Sequence, residues 1–357
     1  MIRPRVALDG RTLQARPLGG VGRAISNLIE PLAGRCDLTL LLDARLSPIE
    51  TAVPHRALRT PVVPGNVAWL QLAAAPWLRG FDGVFHCPFY GLPYLQRTPM
   101  VVTFHDLSFE LHPEWMPAAK RTAFRAQARH AARTARVILT DSEFVRRQVV
   151  DLYGVGEERV VVAPLCVDPV FTGPSDLALR EEFLTRLQVK GPYVVAFSGA
   201  RRRRLEMARQ AWLRLRSHGF QGQLVIIGRE PVRDAGVVSA GNPTDRELAE
   251  LLRGAAALCY PTEDEGFGMP ALEAIACGCP VVCFPVGSLP EILGDAAEWC
   301  DGGDLDALAT GLQRVVGDTE HQQGLRERGR AWIAASPGWD DCAAIHVEAY
   351  RAAIDQA

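Results

Sequence analysis

Short apolar runs with strand character alternate with helical segments along most of this chain, and that alternation limits the folds open to it. Most of the runs are apolar throughout, which is typical of strands covered on both faces of a sheet. Strands are predicted at 5–9, 37–43, 100–105, 136–140, 159–163, 193–198, 223–227, 256–260 and 280–284. The pattern predicts an α/β fold whose parallel sheets lie between layers of helices.

Several of the segments between the strands carry helix start and stop residues. Capping side chains stand at Ser142 before 143–153, at Thr244 with Glu247 in 244–253, and at Ser288 with Glu291. The last two pairs have the spacing of a capping box. Glycine follows the first two helices, at Gly154 and Gly254, where a left-handed residue commonly ends a helix.

The strand series stops at 166–192, where a polar helical segment is followed by Lys190-Gly191-Pro192, and it resumes directly afterwards. A chain of 357 residues is also longer than a single core usually supports. We therefore predict two doubly wound domains, 1–168 and 169–339, that face each other across a cleft. Ligands of such sheets bind beyond the carboxyl ends of the strands, so the cleft is the expected site.

The composition excludes several classes of protein. With 39 basic against 41 acidic residues, the chain lacks the basic character of a nucleic-acid-binding protein. Its nine cysteines fit no zinc-binding spacing and are interpreted as reduced core thiols of a cytoplasmic protein. The first residues, MIRPRVALDG, lack the apolar core of a signal peptide, and no apolar run has the length of a membrane span.

The segment 264–278, DEGFGMPALEAIACG, places Glu265 and Glu273 on either side of a glycine turn. Pro270 suits the first turn of a helix and Gly278 the position after its end, so 270–277 is predicted to be helical. The amino terminus of this helix points into the turn, which suits a phosphate. Glu265 and Glu273 would repel phosphate, so we expect them to bind neutral hydroxyls beside it. A buried helix after an ordinary turn is the alternative that this segment alone leaves open.

The longer segment around this turn resembles the retaining GT-B glycosyltransferases of family four. It runs from Cys259-Tyr260-Pro261-Thr262 through the turn to 280–282 and 287–297. Two glutamates separated by seven residues are the signature of that family. The first half agrees with the family in order and spacing at Gly19-Gly20-Val21-Gly22-Arg23, 102–108, 113–117 and 141–144. The resemblance covers nearly the whole chain.

This resemblance implies the GT-B fold, with two Rossmann-like domains, the first on the acceptor side and the second holding most of a nucleoside-diphosphate sugar. The last helix, at about 340–357, would cross back to pack on the first domain. The resemblance also implies retention of anomeric configuration, no bound metal and no cofactor, because the nucleotide sugar is a substrate.

Family likeness further assigns roles around the glycine turn. It implies that Glu273 binds the ribose hydroxyls and that Glu265 reaches hydroxyls of the transferred sugar. The donor sugar and diphosphate would meet the main chain of Gly266, Phe267, Gly268, Met269, Pro270, Ala271 and Leu272. The structural alternative is a helix cap for Glu265 and a surface salt bridge for Glu273.

The run Arg201-Arg202-Arg203-Arg204 follows the strand at 193–198. The family carries an arginine and a lysine here that neutralise the leaving diphosphate, and counting back from Ala211-Trp212 assigns Arg202 and Arg203 to that role. Cations fixed near a departing oxygen stabilise the charge that develops on it. A shift of the pair by one residue, or a solvated basic turn for part of the run, stays open.

Two histidines are candidates in the first half. His105 ends the strand at 100–105, and the matching histidine of the family contacts the donor sugar. Asp106 beside it is either a site residue or a cap of the following turn. His86 is a weaker candidate for the acceptor side, with a structural histidine as the alternative.

Gly20 and Gly22 lie after the first strand and before an amphipathic helix, where they are expected to let the main chain approach the donor phosphate or the reacting centre. Their spacing also prompts a nicotinamide-dinucleotide oxidoreductase as a rival, with Asp43 as the acidic residue of its fingerprint. That rival fails because the third glycine is absent and the motif lies well beyond the first strand.

The sequence therefore predicts a cytoplasmic, metal-independent hexosyltransferase of polysaccharide biosynthesis. It would move a hexose, with GDP-mannose favoured over UDP-sugars, to a hydroxyl of a glycan, lipid-linked or small-molecule acceptor. The basic helix at 117–136 is interpreted as a solvated face, with peripheral contact to the inner face of a membrane as the alternative. The rival functions are a nucleotide-sugar epimerase or hydrolase of the same fold, and an inactive binding protein.

Overall fold

A computed structural model describes residues 3–15, 18–60, 65–94, 96–199, 201–230 and 234–356. The chain divides into two compact units. The first comprises Met1–Cys166 together with Pro337–Ala357, and the second comprises Val167–Ser336. Each unit is built around one parallel sheet with helices on its faces.

The sheet of the first unit has the strand order β3-β2-β1-β4-β5-β6-β7, and every pairing in it is parallel. Its strands are β1 (Arg5–Asp9), β2 (Asp37–Asp43), β3 (His55–Leu58), β4 (Val84–Cys87), β5 (Met100–Phe104), β6 (Val137–Thr140) and β7 (Val160–Val162). The central strands β4, β5 and β6 are buried along their whole length, as expected for strands covered on both faces.

The helices of the first unit lie between these strands. They are α1 (Gly20–Ala33), α2 (Asn66–Trp69), α3 (Ala75–Leu78), α4 (Ser108–Leu111), α5 (Ala118–Thr134) and α6 (Glu143–Tyr153). A π-helical turn at Leu70–Ala74 joins α2 to α3, and short 3-10 turns occupy Arg11–Gln14, Pro113–Trp115 and Glu157–Arg159.

The second unit repeats this plan with the strand order β10-β9-β8-β11-β12-β13. Its strands are β8 (Tyr193–Phe197), β9 (Gln223–Ile227), β10 (Val237–Gly241), β11 (Ala257–Tyr260), β12 (Val281–Cys283) and β13 (Ala297–Trp299). Its helices are α7 (Pro169–Thr172), α8 (Leu177–Arg186), α9 (Leu205–Ser217), α10 (Asp245–Gly254), α11 (Met269–Ala276), α12 (Leu289–Leu293), α13 (Leu305–Gly317) and α14 (Thr319–Ala335).

The last helix, α15 (Trp339–Asp355), belongs to the first unit, where it packs against α1 and the sheet. Its inner face buries Cys342, Val347 and Tyr350 in the same core as Val6 and Leu8 of β1. The first unit is therefore completed by a segment that follows the whole of the second unit in the chain.

The predicted α/β fold with two parallel sheets is confirmed, and each of the predicted strand runs contains a strand. The prediction omitted β3, β10 and β13, which lie at sheet edges, and the short β4, although it found the edge strand β7. Edge strands need no continuous apolar run: β3 is largely exposed and β10 is only half-buried. In β4 the polar His86 interrupts the apolar pattern.

The predicted helix ends are mostly correct. Ser142 Oγ accepts from the Val145 N–H at 3.2 Å, Gly154 has φ +63°, and the Thr244 capping box is formed. Two details are wrong. Gly254 is the last residue of α10 rather than the residue after it, and Ser288 does not cap α12.

A buried carboxylate of α10 joins that helix to the start of α8. The side chain of Glu250 is 1% exposed and accepts hydrogen bonds from Ser175 Oγ at 2.9 Å and the Asp176 N–H at 2.8 Å. It also forms ion pairs with Arg180, at 3.0 Å, and with Arg253. Burial alone would raise the pKa of Glu250, but the hydrogen bonds from Asp176, Ser175 and Arg253 outweigh it and lower that pKa.

The Glu250→Gln variant should lose about 3 kcal/mol of unfolding free energy at neutral pH, because it leaves two arginines without their shared counter-charge. Since the folded-state pKa is lowered, the stabilisation is present above the unfolded pKa of about 4.3 and is lost as the pH falls below it. Urea denaturation of both proteins at neutral and acidic pH measures this difference.

The matched control is Glu182→Gln, which removes an exposed carboxylate from α8. It should change the unfolding free energy by about 0.5 kcal/mol or less. A Glu250→Gln protein as stable as this control at neutral pH would show that the buried network does not stabilise the second unit.

Candidate functional site

The predicted glycine turn leaves the carboxyl end of β11, a central strand, and leads into α11. Gly268 has φ +92°, and a Cβ there would lie 2.4 Å from Leu289 Cδ2, so only glycine fits. Pro270 stands in the first turn of α11, and Gly278, with φ +73°, follows its end. The sequence prediction of this helix is confirmed, and its amino-terminal N–H groups face the turn.

A second glycine turn supports the main chain of Glu265. Gly287 has φ +59°, and a Cβ on it would lie 2.4 Å from the Glu265 carbonyl oxygen. The next residue, Ser288, donates to that oxygen from its N–H at 3.0 Å and from its hydroxyl at 3.1 Å. This contact explains why Ser288 does not cap α12, although its spacing from Glu291 suggested a cap.

The carboxylate of Glu265 is 5% exposed and is held on both oxygens. Oε1 accepts from the Tyr260 hydroxyl at 2.5 Å and the Thr262 hydroxyl at 3.4 Å, and Oε2 accepts from Arg202 Nη2 at 3.2 Å. Burial and the charge of Glu265 raise the pKa of Tyr260 well above its usual value, so the phenol keeps its proton and donates. Glu265 thus does not cap α11.

The arginine run forms a 3-10 turn, Arg201–Arg203, after β8. Arg202 reaches Glu265, while Arg203 Nη1 donates to the Ser198 carbonyl at 2.8 Å, with its guanidinium 5.4 Å from the Phe197 ring centre. Arg204 has the left-handed φ of +46° and donates to the Gly303 carbonyl at 3.1 Å. The run therefore has defined contacts, and the structure brings Arg202 and Glu265 together.

The remaining residues predicted at this turn are largely buried. Glu273 lies on α11 and is 2% exposed, so its side chain is buried and does not lie at the surface. Phe267, Ala271 and Leu272 are buried, as are Gly266 and Gly268, while Met269 and Pro270 are partly exposed. Their contacts with a donor stay a prediction.

His105 follows β5 in the first unit, and both of its ring nitrogens face acceptors. Nδ1 lies 2.7 Å from Asp141 Oδ2 and Nε2 lies 3.0 Å from the Pro88 carbonyl oxygen. Only the imidazolium can donate to both. Burial disfavours that charge, but the Asp141 carboxylate outweighs burial and raises the pKa of His105.

The two neighbouring candidates are structural. Asp106 Oδ1 accepts from the Ser108 N–H at 3.1 Å and the Ser108 hydroxyl at 2.8 Å, so it caps the following turn. His86 is fully buried between the Tyr350 hydroxyl and the Thr103 hydroxyl, at 2.8 Å from each. Burial lowers the pKa of His86 well below its usual value, and an acceptor cannot reach it.

Gly20 and Gly22 lie inside the first turn of α1 rather than before the helix. A Cβ on Gly22 would lie 2.7 Å from the Thr12 carbonyl oxygen, so this glycine lets α1 pack on the 3-10 turn Arg11–Gln14. A Cβ on Gly20 would meet no described atom within 4 Å. The spacing predicted that both glycines let the main chain approach a ligand. For Gly22, the close packing of α1 on the Thr12 carbonyl is enough to explain why a glycine stands there.

The sequence reasoning missed Tyr260, Thr262 and the role of Ser288. Tyr260 ends β11, and Thr262 and the glutamate follow it within five residues, so proximity along the chain was the available signal. In the described part of the chain, no cluster of three or more His, Cys, Asp or Glu residues could hold a metal ion. The helices of the described ranges include none that is both long and apolar enough to span a bilayer.

Two curated proteins and one solved structure show how far the similarity to known proteins extends. The chain is 29% identical to the O-antigen chain mannosyltransferase B of Escherichia coli, over 76% of this chain and 74% of that protein. It is 28% identical to the MMP alpha-(1->4)-mannosyltransferase of Mycolicibacterium hassiacum, over 87% and 81%. The sucrose-phosphate synthase structure from Thermosynechococcus elongatus superimposes with a TM-score of 0.78 at 18% identity, covering 99% of this chain and 100% of that one.

Two family models match consecutive parts of the chain. The Glycosyltransferase Family 4 model matches residues 18–171, and the Glycosyl transferases group 1 model matches residues 189–332. Between them they include the arginine run, both glutamates and His105. The chain therefore belongs to the family 4, or group 1, glycosyltransferases and has their GT-B fold.

Proposed function

We propose that this glycosyltransferase moves a hexose from a nucleoside-diphosphate sugar to a hydroxyl acceptor with retention of anomeric configuration and without a metal ion. GDP-mannose is the favoured donor, because both curated relatives described above are named mannosyltransferases. UDP-sugars come next. The observation that carries the proposal is the buried Glu265, held by Tyr260 and Arg202 beside the amino terminus of α11.

Different charged groups around this turn match different parts of the donor. The α11 amino terminus and the Arg202 and Arg203 guanidiniums supply positive charge for a diphosphate. Glu265 and Glu273 supply acceptors for neutral hydroxyls, which a carboxylate binds strongly. As the glycosidic bond stretches, charge grows on the leaving diphosphate, and fixed cations stabilise that charge without reorganising.

The proposed retention follows a front-face displacement, in which diphosphate leaves as the acceptor hydroxyl attacks from the same side. A covalent intermediate needs a carboxylate directed at the anomeric carbon. Both oxygens of Glu265 are instead engaged by Tyr260, Thr262 and Arg202, which suits a hydrogen-bonding role. The contact of His105 with the donor sugar stays a prediction, and it would require the Nε2 N–H to leave the Pro88 carbonyl for a sugar hydroxyl.

The Glu273→Ala variant should bind GDP about ten-fold or more weakly, because a hydrogen bond to a charged group is worth about 1.5–3 kcal/mol. Calorimetry with GDP and UDP measures the loss of affinity in the variant. It also measures the base preference, and the wild-type protein should bind GDP more tightly than UDP. Glu298→Ala, which removes another largely buried glutamate of the second unit, serves as the control. Unchanged GDP affinity in a folded Glu273→Ala protein would remove this residue from the donor site.

Replacing Arg202 and Arg203 together by glutamine should lower kcat far more than donor affinity, the mark of an interaction that strengthens in the transition state. Each lost cation should cost about a hundred-fold in rate, as for one oxyanion-hole donor. The single variants separate the two residues, and Arg202→Gln should lose more because it also releases Glu265.

The control for this pair is Arg214→Gln, which removes an exposed arginine of α9. Steady-state rates at saturating donor and acceptor give kcat, and calorimetry gives donor affinity. A large loss of donor affinity with normal kcat would mean that the arginines stabilise the bound donor and not the transition state. No change in either quantity would return the run to a structural role.

Transfer from GDP-mannose to a mannoside should continue in excess EDTA, because the arginines already supply the positive charge that a divalent ion would bring. NMR of the product should show the α-configuration of the donor. Loss of activity that manganese or magnesium restores would contradict metal independence, and a β-linked product would contradict retention. Release of free sugar at the same rate with and without acceptor would favour the rival hydrolase.

A further inference from the structure

His105 lies between two hydrogen-bond acceptors because of where three strands end. The strands β4, β5 and β6 are consecutive in the sheet of the first unit, and Pro88, His105 and Asp141 directly follow their carboxyl ends. Phe104 and Thr140, the last residues of β5 and β6, are partners in the parallel register. The pairing of the strands therefore brings the His105 ring and the Asp141 carboxylate together.

The two contacts of the ring require a proton on each of its nitrogens. Nδ1 lies 2.7 Å from Asp141 Oδ2, and Nε2 lies 3.0 Å from the Pro88 carbonyl oxygen. An ionised carboxylate and a peptide carbonyl can only accept, so a ring with a single proton would leave one of these contacts without a hydrogen bond. The side chains of His105 and Asp141 are 12% and 3% exposed, and a buried polar atom that loses its partner is costly.

Asp141 supplies the counter-charge that this imidazolium needs. Burial favours the neutral ring, but the charge of the Asp141 carboxylate and its hydrogen bond outweigh burial and raise the pKa of His105. Asp106, the next residue in the chain, acts in the same direction more weakly. Its carboxylate caps the following turn through Ser108, so Asp141 is the carboxylate that touches the ring.

Other titratable groups that interact with this pair are neutral at neutral pH. Burial lowers the pKa of His86 well below its usual value, and it lowers the pKa of His346, on α15, to about 4. A hydrogen bond with Cys166 and burial raise the pKa of the Cys342 thiol. These groups place no second cation beside His105, and its charge is balanced by carboxylates.

The two acceptors of the ring differ in strength. The Asp141 carboxylate is charged and the Pro88 carbonyl is neutral, so the hydrogen bond at Nδ1 is the stronger of the two. A sugar hydroxyl can therefore replace the Pro88 carbonyl at Nε2 while Nδ1 stays on the carboxylate. The ring then keeps its orientation during the exchange.

We propose that Asp141 is a positioning residue of the transfer reaction, which fixes the His105 ring through Nδ1 and keeps the second ring proton on Nε2 for a hydroxyl of the donor sugar. The contact of His105 with the donor rests on the proposed function. The pairing of Asp141 with a doubly protonated ring does not, because it requires neither donor nor turnover.

The proposal gives a definite pH dependence. Because the pKa of folded His105 is raised, both ring protons are present below that pKa, and one is lost as the pH rises through it. The proton that remains stays on Nδ1, where the carboxylate accepts it, so Nε2 can no longer donate. The use of the donor should therefore decline on the alkaline side.

Nitrogen-15 NMR of the full chain over a range of pH observes the ring nitrogens directly. The eight histidines are distinguished with a His105→Gln protein, whose spectrum lacks the His105 signals. Wild-type His105 should carry both ring protons at neutral pH and titrate above the usual value of about 6.5. In Asp141→Asn, which keeps the size of the side chain but removes its charge, the pKa of His105 should fall by about one to three.

The pH profile of kcat/KM for GDP-mannose tests the role of Asp141 in the reaction. Asp141→Asn should move the alkaline decline to lower pH and reduce kcat/KM about ten-fold at neutral pH, as for the loss of one hydrogen bond to a charged group. The affinity for GDP should stay unchanged, because GDP lacks the transferred sugar.

Two further variants separate charge from shape. Asp141→Glu keeps the charge, so its pH profile should lie closer to the wild-type profile than that of Asp141→Asn. A purely structural Asp141 would give the opposite order, because asparagine is the better match in size. The control Asp151→Asn removes an exposed carboxylate from α6 and should change neither the titration of His105 nor the pH profile.

A wild-type His105 with a single ring proton at neutral pH would overturn the proposal, and this measurement needs no variant of Asp141 that folds. A pKa of His105 that is the same in Asp141→Asn would also overturn it. Active protein whose pH profile does not change in Asp141→Asn contradicts the role of Asp141 alone. Protein that loses the doubly protonated ring in Asp141→Asn, but whose wild type transfers no sugar, contradicts the proposed function alone.

Discussion

The ion pair between Arg202 and Glu265 ties together the loops that leave β8 and β11. A carboxylate that is 5% exposed would cost several kcal/mol of folding free energy without partners. Tyr260, Thr262 and Arg202 supply three donors, and the second glycine turn fixes the main chain beneath it. Because β8 and β11 are neighbours in a parallel sheet, their carboxyl ends emerge side by side, and the fold itself brings these loops together.

Much of the fold could be predicted because its central strands are covered on both faces and so are apolar throughout. The same reasoning could not find β3 or β10, which lie at sheet edges and bury little. Nor does periodicity indicate that α15 completes the first unit after the whole second unit has intervened. The family resemblance supplied that expectation, since a helix pattern alone contains no information about which sheet it covers.

The site was predictable where a residue's role follows from local geometry, and less so where long-range contacts decide it. Pro270 and Gly278 mark the ends of α11 by rules that need no tertiary structure. Ser288 has the spacing of a cap, but its hydroxyl serves Glu265, twenty-three residues earlier in the chain. Gly22 sits within a ligand-like glycine spacing, yet the Thr12 carbonyl already excludes a side chain. One sequence pattern therefore fits two physical causes until the contacts are known.

The chemistry of arginine explains how one side chain could serve both Glu265 and a donor diphosphate. The Arg202 Nη2 atom donates to the Glu265 carboxylate at 3.2 Å. The guanidinium is planar and carries five N–H donors, so it can bind a second oxyanion through another edge without leaving the first. A lysine ammonium is a point charge on a flexible stem, and a diphosphate would draw it away from the glutamate. Arginine at this position would thus keep Glu265 oriented while the charge on the leaving group develops.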